Sequence, residues 1–279
     1  MNSASPDPRL NRRVWEIDAL RGFLILSVLI DHLTLTVDAF CIDGYYNIDA
    51  AEWARITDPL GVWFTTGADG AVCWTQWVTT LRSVCTYPAV DTFFILSGIS
   101  CVFSRNNFKR ALKVLAAGFF IAAFTFILWQ ATGDATRFIR FGVLMCYASC
   151  QLIYTYFFEK RSNKTLLIAA IPVFIIGYFL RYHGLAIHSP LLYPFGVGEY
   201  GDLSSDWWPI FPMLGWFLLG AVIGRKFYGE KKTLLPSKAA DTLTRPLQFL
   251  GRHSGVIYVG HILLYTAAFC GIGYLLGLF

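Results

Sequence analysis

An arginine and a histidine stand 11 positions apart in one apolar stretch, and both side chains could do chemistry. Arg21 opens the stretch and His32 ends it, and the residues between them are apolar apart from Ser27 and Asp31. On an α-helix, 11 positions make about three turns and about 16 Å of rise, so the two side chains share one face. Ionisable groups inside hydrocarbon are costly and are therefore usually functional. The spacing predicts a cation at one membrane edge and an imidazole deep in the bilayer.

Two interpretations of His32 stay open on the residues alone. In the first, His32 is a general base whose other ring nitrogen is held by a carboxylate. Neighbours on a helix point about 100° apart, so Asp31 is poorly placed for this, whereas Asp91 of the second apolar stretch is expected at a similar depth. In the second, His32 is a structural histidine bonded to a backbone carbonyl. Asp31 and Asp38, one heptad apart, are expected to line a solvated outer cavity.

A second group of polar residues precedes the last apolar stretch, in the sequence Gly251-Arg252-His253-Ser254. Ser254 is predicted to be a helix N-cap, and a helix N-terminus beside Arg252 is a ready anion site. With Arg21, these residues could hold a polyanionic, nucleotide-like ligand. The simpler interpretation is that they set topology and meet anionic lipid. His261 follows about two turns later and is expected near mid-membrane, between the anion site and His32.

The composition places the chain in a membrane. Hydrophobic residues make up 56%, charged residues 15%, and the mean hydropathy is +0.52, which excludes an ordinary soluble domain. Aromatic residues make up 17%, as expected where rings lie at both bilayer interfaces. The net charge of +5 is not gathered on one face, so nucleic acid is not a predicted partner. Cys and His spacings typical of metal sites are absent from the sequence, so no metal is predicted.

Seven stretches are long and apolar enough to span a bilayer, which predicts an all-α, polytopic helical bundle. Successive loops between these stretches fall on alternate sides of the membrane. Of the 23 Lys and Arg residues, 18 lie on the side of the N-terminus and 5 on the other side. Cytoplasmic loops carry the excess of Lys and Arg, so the N-terminus is predicted to be cytoplasmic and the membrane the plasma (inner) membrane. The predicted spans are 19–39, 86–104, 111–130, 138–158, 165–181, 208–224 and 254–278.

We expect a single transmembrane domain, residues 14–279, after a polar tail, residues 1–13. The first span contains Asp31 and His32 and has no small-residue cleavage pattern after it, so we predict a retained helix and not a signal peptide. The aromatic stretch 59–82 leaves an eighth membrane segment open. An external disulfide also stays open, between two of the three cysteines predicted outside the membrane: Cys41, Cys73 and Cys85.

Three motifs in this order resemble transmembrane acyltransferases. The first is Asp18-Ala-Leu-Arg-Gly with His32 beyond it, the second Asp91-Thr-Phe-Phe-Ile-Leu-Ser-Gly98, and the third Phe249-Leu-Gly-Arg-His-Ser-Gly-Val-Ile-Tyr-Val-Gly-His261. The bacterial branch similar to the heparan-alpha-glucosaminide N-acetyltransferase catalytic domain is the nearest resemblance. The wider acyltransferase-3 family shares the spacing from Arg21 to His32. Together the motifs reach across residues 13–265.

The resemblance implies a polytopic helical enzyme that takes an acyl group, usually acetyl, from a cytoplasmic coenzyme A thioester. The acceptor would be an amine or hydroxyl, often of a sugar or envelope glycan, at the outer face. Carried over by position, Arg21 would contact the coenzyme and His32 would act at the acyl group. The chain is shorter than the larger members that it resembles, so we expect part of the usual acceptor site to be missing or rebuilt from the external loops. The resemblance leaves open an acyl-histidine intermediate; we favour direct transfer, which needs one neutral imidazole.

The complete prediction joins these residues into an acyl-CoA-dependent N- or O-acetyltransferase. Arg252 and Ser254 would bind coenzyme phosphate with Arg21, Asp91 would orient the catalytic His32, and His261 would line the path of the coenzyme. The alternative from another class is a proton-coupled transporter, and a third is a membrane scaffold without chemistry. In the transporter, protons would pass along a relay of four side chains: Asp31, His32, Asp91 and His261. The sequence also leaves open whether copies of the chain associate.

Overall fold

The computed structural model describes most of the chain. The described residues are 14–42, 45–67, 71–183, 185, 187, 189–198, 206–235 and 244–278. The predicted polar tail, residues 1–13, lies outside them.

Nine α-helices, one short hairpin and two 3₁₀ turns, Ala135–Arg137 and Tyr193–Phe195, make up most of the regular structure of the described residues. The helices are α1 (Trp15–Val37), α2 (Ala50–Thr57), α3 (Gln76–Cys101), α4 (Asn107–Thr132), α5 (Val143–Ile153), α6 (Asn163–His183), α7 (Ile210–Phe227), α8 (Arg245–Arg252) and α9 (Ser254–Leu276). Two helices continue as π-helical turns, α1 through Asp38–Ile42 and α5 through Tyr154–Phe158. The hairpin pairs β1 (Phe64–Thr66) with β2 (Val72–Trp74).

The helices confirm an all-α, polytopic membrane bundle. Six of them are long and apolar enough to cross a membrane: Trp15–Ile42, Gln76–Cys101, Asn107–Thr132, Asn163–His183, Ile210–Phe227 and Ser254–Leu276. The fourth predicted span corresponds to the shorter apolar helix Val143–Phe158. Each of the seven predicted stretches therefore coincides with an apolar helix, and the chain is a multi-pass membrane protein.

The aromatic stretch 59–82 forms an antiparallel hairpin and the first turns of α3, not an eighth spanning helix within its described residues. Phe64 pairs with Trp74 across the hairpin, and both pack with α2. Asp58 fixes the entry to the hairpin, because its carboxylate accepts hydrogen bonds from the backbone N–H groups of Val62, Trp63 and Phe64. A carboxylate that accepts several N–H groups favours a tight turn over a continued helix.

The chain divides into two compact units, and α3 contributes to both. One unit comprises Trp15–Val90 and Ala239–Phe279, and the other comprises Met1–Val14 and Asp91–Lys238. In the second unit α6 packs on α7 and α4 packs on α5, around fully buried side chains such as Phe94 and Phe217. A single domain over residues 14–279 stays a prediction.

Close helix packing defines the first unit. A Cβ on Gly22 of α1 would lie 1.8 Å from the carbonyl oxygen of Leu247 in α8, and one on Gly251 would lie 1.8 Å from that of Asp18. Only glycine permits this approach, so α8 lies directly against the first turns of α1. The unit therefore brings the segment around Arg252 to the same end of α1 as Arg21.

All seven cysteines are free thiols. Cys41 is buried, whereas Cys73 and Cys85 are exposed, so the external disulfide that the sequence left open is not formed. Among the described residues, no three His, Cys, Asp or Glu side chains are grouped as metal ligands.

Candidate active site

Helix α1 carries both residues of the first motif. It runs without interruption from Trp15 to Val37, so Arg21 and His32 lie on one face, about three turns apart. At the start of the helix, Nη1 of Arg21 lies 3.5 Å from Oδ1 of Asp18. These side chains are only 21% and 12% exposed, so the carboxylate restrains the guanidinium at this end of α1.

His32 is bonded to a second histidine. Its Nδ1 lies 2.7 Å from Nε2 of His261 on α9, and the two ring centroids are 4.8 Å apart. Nδ1 of His261 lies 3.2 Å from the backbone carbonyl of Ile257, one turn earlier on the same helix. His261 is 4% exposed. The structural interpretation predicted that His32 bonds a backbone carbonyl. In the structure His261 makes such a contact, and His32 bonds His261.

Two tyrosines of α9 enclose the histidine pair. The ring of Tyr258 lies edge-on, 6.1 Å from His32 and 5.4 Å from His261. Tyr265 lies 5.5 Å from the His261 ring, and its hydroxyl donates to the backbone carbonyl of Leu29 at 3.2 Å. These contacts hold α9 against α1 and restrict the rotation of both imidazoles.

An arginine of α3 occupies the region predicted to be a solvated cavity. Nε of Arg82 lies 3.0 Å from Oδ1 of Asp31, and its Nη1 lies 3.7 Å from Oδ2 of Asp38. The hydroxyl of Thr86 also donates to Asp31, and the indole N–H of Trp74 donates to Asp38. Both carboxylates are therefore ion-paired with one cation, and the solvated cavity at Asp31 and Asp38 stays a prediction. The sequence signal for this ion pairing was that Arg82 is one of the five arginines predicted on the outer side, against the charge bias.

Asp91 lies on α3, in the second unit. It is half-buried, and its carboxylate interacts electrostatically with Arg181 of α6 and with Tyr178 one turn before it. Its predicted role as the orienting partner of His32 stays a prediction.

The segment before α9 differs from the prediction in its capping. Ser254 is the first residue of α9, and the N-cap position is His253, which makes no side-chain capping hydrogen bond. The reason is that α8 and α9 follow one another almost directly. The N–H of His253 bonds the carbonyls of Phe249 and Leu250, and its own carbonyl accepts from Ile257. Ser254 is therefore already helical, and the prediction of a Ser254 N-cap is wrong.

Arg252 is exposed at the end of α8, where it follows the glycine that lies on α1. The predicted anion-binding residues Arg252 and Arg21 thus belong to neighbouring turns of two packed helices. Ser254 follows two positions later.

Residues 68–263 match the family described as heparan-alpha-glucosaminide N-acetyltransferase, catalytic. The chain belongs to this family. Membership, together with the six membrane-length helices, makes the chain a membrane acetyltransferase. The match includes Asp91, Arg252, Ser254 and His261 and begins after Arg21 and His32.

Comparison with curated proteins and with solved structures gives no match. The family assignment of this acetyltransferase gives no support to the alternative of a proton-coupled transporter, and a relation to the acyltransferase-3 family is not shown. The contacts add two residues that sequence analysis did not assign to the site, Arg82 and Tyr258.

Proposed function

We propose that the enzyme takes an acetyl group from cytoplasmic acetyl-CoA and transfers it to an amine or hydroxyl of a sugar at the outer face of the plasma (inner) membrane. The proposal rests on one observation. Arg21 and His32 lie on a single face of α1; the Arg21 guanidinium is restrained by Asp18, and the His32 imidazole is bonded to His261. The rise between Arg21 and His32, about 16 Å, is comparable to an extended pantetheine arm. The thioester would then lie near His32 while the phosphates stay at the Arg21 end.

In this proposal the coenzyme phosphates are bound where α8 meets α1. Arg21 and Arg252 supply the cations, and Ser254 adds a hydroxyl at the start of α9. Guanidinium groups bind phosphate through paired, charge-assisted hydrogen bonds, which is why arginine suits this role. The Asp18 carboxylate holds the Arg21 guanidinium in place at this end of α1.

His32 acts as a general base in direct transfer. It takes a proton from the acceptor nitrogen or oxygen as that atom attacks the thioester carbonyl, and the new carbonyl–acceptor bond forms. The carbon–sulfur bond then breaks, and the proton held by His32 passes to the leaving thiolate. The acetyl group has moved, coenzyme A leaves as the thiol, and His32 is neutral again.

Radiolabelled acetyl-CoA and purified enzyme in nanodiscs test the proposal, with glucosamine as the acceptor probe. His32→Ala is expected to abolish transfer of label while acetyl-CoA binding is retained. Arg21→Ala is expected to weaken acetyl-CoA binding by about 10- to 100-fold, the effect of one charged hydrogen-bonded contact. Two exposed residues provide matched controls, since His183→Ala and Arg55→Ala should leave both measurements unchanged. Unchanged coenzyme affinity in Arg21→Ala would refute the phosphate role, and label transfer by His32→Ala would refute the base.

A further inference from the structure

We infer that His261 is a positioning residue that fixes the tautomer of His32 and so leaves Nε2 of His32 as the basic nitrogen. The inference rests on the proposed function, in which His32 takes the proton of the acceptor. The evidence is a chain of two hydrogen bonds in the first unit. Nδ1 of His261 bonds the backbone carbonyl of Ile257, and Nε2 of His261 bonds Nδ1 of His32.

The backbone of α9 determines which ring nitrogen of His261 carries the hydrogen. A backbone carbonyl can only accept a hydrogen bond, so the Nδ1 that faces the Ile257 carbonyl must carry the hydrogen. A neutral imidazole carries one N–H, which leaves Nε2 of His261 as an acceptor. The helix backbone therefore selects the tautomer of His261.

The tautomer of His261 in turn determines the tautomer of His32. The 2.7 Å contact between Nε2 of His261 and Nδ1 of His32 needs one hydrogen, and His261 has none on that nitrogen. The hydrogen must lie on Nδ1 of His32. Nε2 of His32 then has an unshared electron pair, which is what a general base requires.

The same contact also suits the protonated form of His32. When Nε2 accepts the proton of the acceptor, Nδ1–H still donates to a neutral His261, so the new imidazolium keeps its partner. The charged groups that interact with His32 are Asp31 and Arg82, which are paired with each other. The proton leaves from Nε2 to the coenzyme thiolate, and the tautomer is restored without any ring rotation.

Two conservative variants of His261 separate this role from simple helix packing. In His261→Gln the side-chain oxygen can reach the position of Nε2 and accept from His32. In His261→Asn the shorter amide reaches only the position of Nδ1, toward the Ile257 carbonyl. A positioning role predicts that kcat for acetyl transfer falls less than about 10-fold in the Gln variant and by about 10²–10⁴-fold in the Asn variant, the contribution that a positioned general base typically makes. The KM for acetyl-CoA should stay unchanged in both.

A spectroscopic measurement reports the tautomer without any turnover. In enzyme labelled with ¹⁵N-histidine, His32 is expected as the Nδ1–H tautomer in the wild type and in His261→Gln, and as a mixture in His261→Asn. Asp91→Asn should leave the signals of His32 unchanged, whereas a change there would assign the orienting role to Asp91. Equal kcat in the Gln and Asn variants, or an Nε2–H tautomer of His32, would overturn the inference. Absence of acetyl transfer by the wild type would instead refute the proposed function, and the tautomer spectrum would still stand.

Discussion

Asp206 shows how a single carboxylate can act against the stability of the fold at neutral pH. It lies just before α7 and accepts a hydrogen bond from the N–H of Val143, the first residue of α5, at 3.2 Å. Desolvation by burial raises its pKa to about 6, although the hydrogen bonds from Val143 and Trp208 act in the opposite direction. Folding therefore makes ionisation of this carboxyl group less favourable than it is in the unfolded chain.

We predict that Asp206→Asn stabilises the enzyme at pH 7 and not at pH 4. A pKa that is raised on folding means that stability falls as pH rises from about 4, the unfolded value, to about 6. The amide keeps the acceptor for Val143 but has no charge to bury, so the gain at pH 7 is at most about 3 kcal/mol. Thermal unfolding in detergent between pH 4 and 8 measures this. Asp49→Asn, an exposed N-cap of α2, is the control. A Tm for Asp206→Asn below that of the wild type at pH 7 would contradict the prediction.

The sequence predicted which residues share a face but not which residues meet across helices. Arg21 and His32 lie on one continuous helix, so helical periodicity alone could place them. The partner of His32 depends on the register of α9 against α1, and periodicity gives no register between helices. His261 was therefore predicted as a group along the coenzyme path, between the anion site and His32, whereas the structure bonds it directly to His32. Arg82 was missed for the same reason, because its two carboxylate partners lie on another helix.

At the scale of elements, apolar length predicted the spans and local capping chemistry did not predict their ends. A run of about 18 apolar residues has to be helical in a bilayer, because each backbone polar group needs an internal partner. The ends depend on contacts made elsewhere. Helix α3 begins at Gln76, before the predicted position 86, since it continues directly from the hairpin. Ser254 is helical because α8 leads into α9 through one residue.

The packing of α8 on α1 depends on two glycines, and we predict that Gly251→Ala separates the helices. The added Cβ would lie 1.8 Å from the Asp18 carbonyl oxygen, which is backbone and cannot rotate away. Overpacking of this kind typically costs about 1–3 kcal/mol, so the Tm should fall by several degrees. In the proposed function, acetyl-CoA affinity falls as well, because Arg252 moves away from Arg21.

Gly255→Ala provides the matched control for this prediction. A Cβ on Gly255, in the first turn of α9, would meet no atom within 4 Å. Alanine is favoured over glycine inside a helix, so this variant should be neutral or slightly stabilising. If Gly251→Ala and Gly255→Ala unfold at the same temperature, the close contact between α8 and α1 does not contribute to stability.

At the scale of the whole molecule, the proposed transfer of acetyl from one membrane face to the other depends on the orientation of the chain in the membrane. The bias of 18 Lys and Arg against 5 predicts a cytoplasmic N-terminus, and with it an external hairpin. The same orientation would place the Arg21 end of α1 where the proposed donor, acetyl-CoA, is available, and the ion-paired Arg82, Asp31 and Asp38 toward the acceptor. The family assignment fixes the chemistry in general terms, and the orientation decides from which side each substrate enters.

Cys73 makes this orientation measurable, because it is an exposed free thiol on β2 of the predicted external hairpin. In sealed right-side-out vesicles, a membrane-impermeant maleimide is expected to label the wild type and not Cys73→Ser. The other two exposed cysteines, Cys85 and Cys270, lie within membrane-length helices, and the wild type and Cys73→Ser are compared in a background in which Ser replaces both of them. Thr233→Cys in the Cys73→Ser background places a thiol in an exposed, predicted cytoplasmic loop, and it should react only after permeabilisation. The reverse pattern would place the N-terminus outside, and cytoplasmic acetyl-CoA could then no longer reach Arg21 from the proposed side.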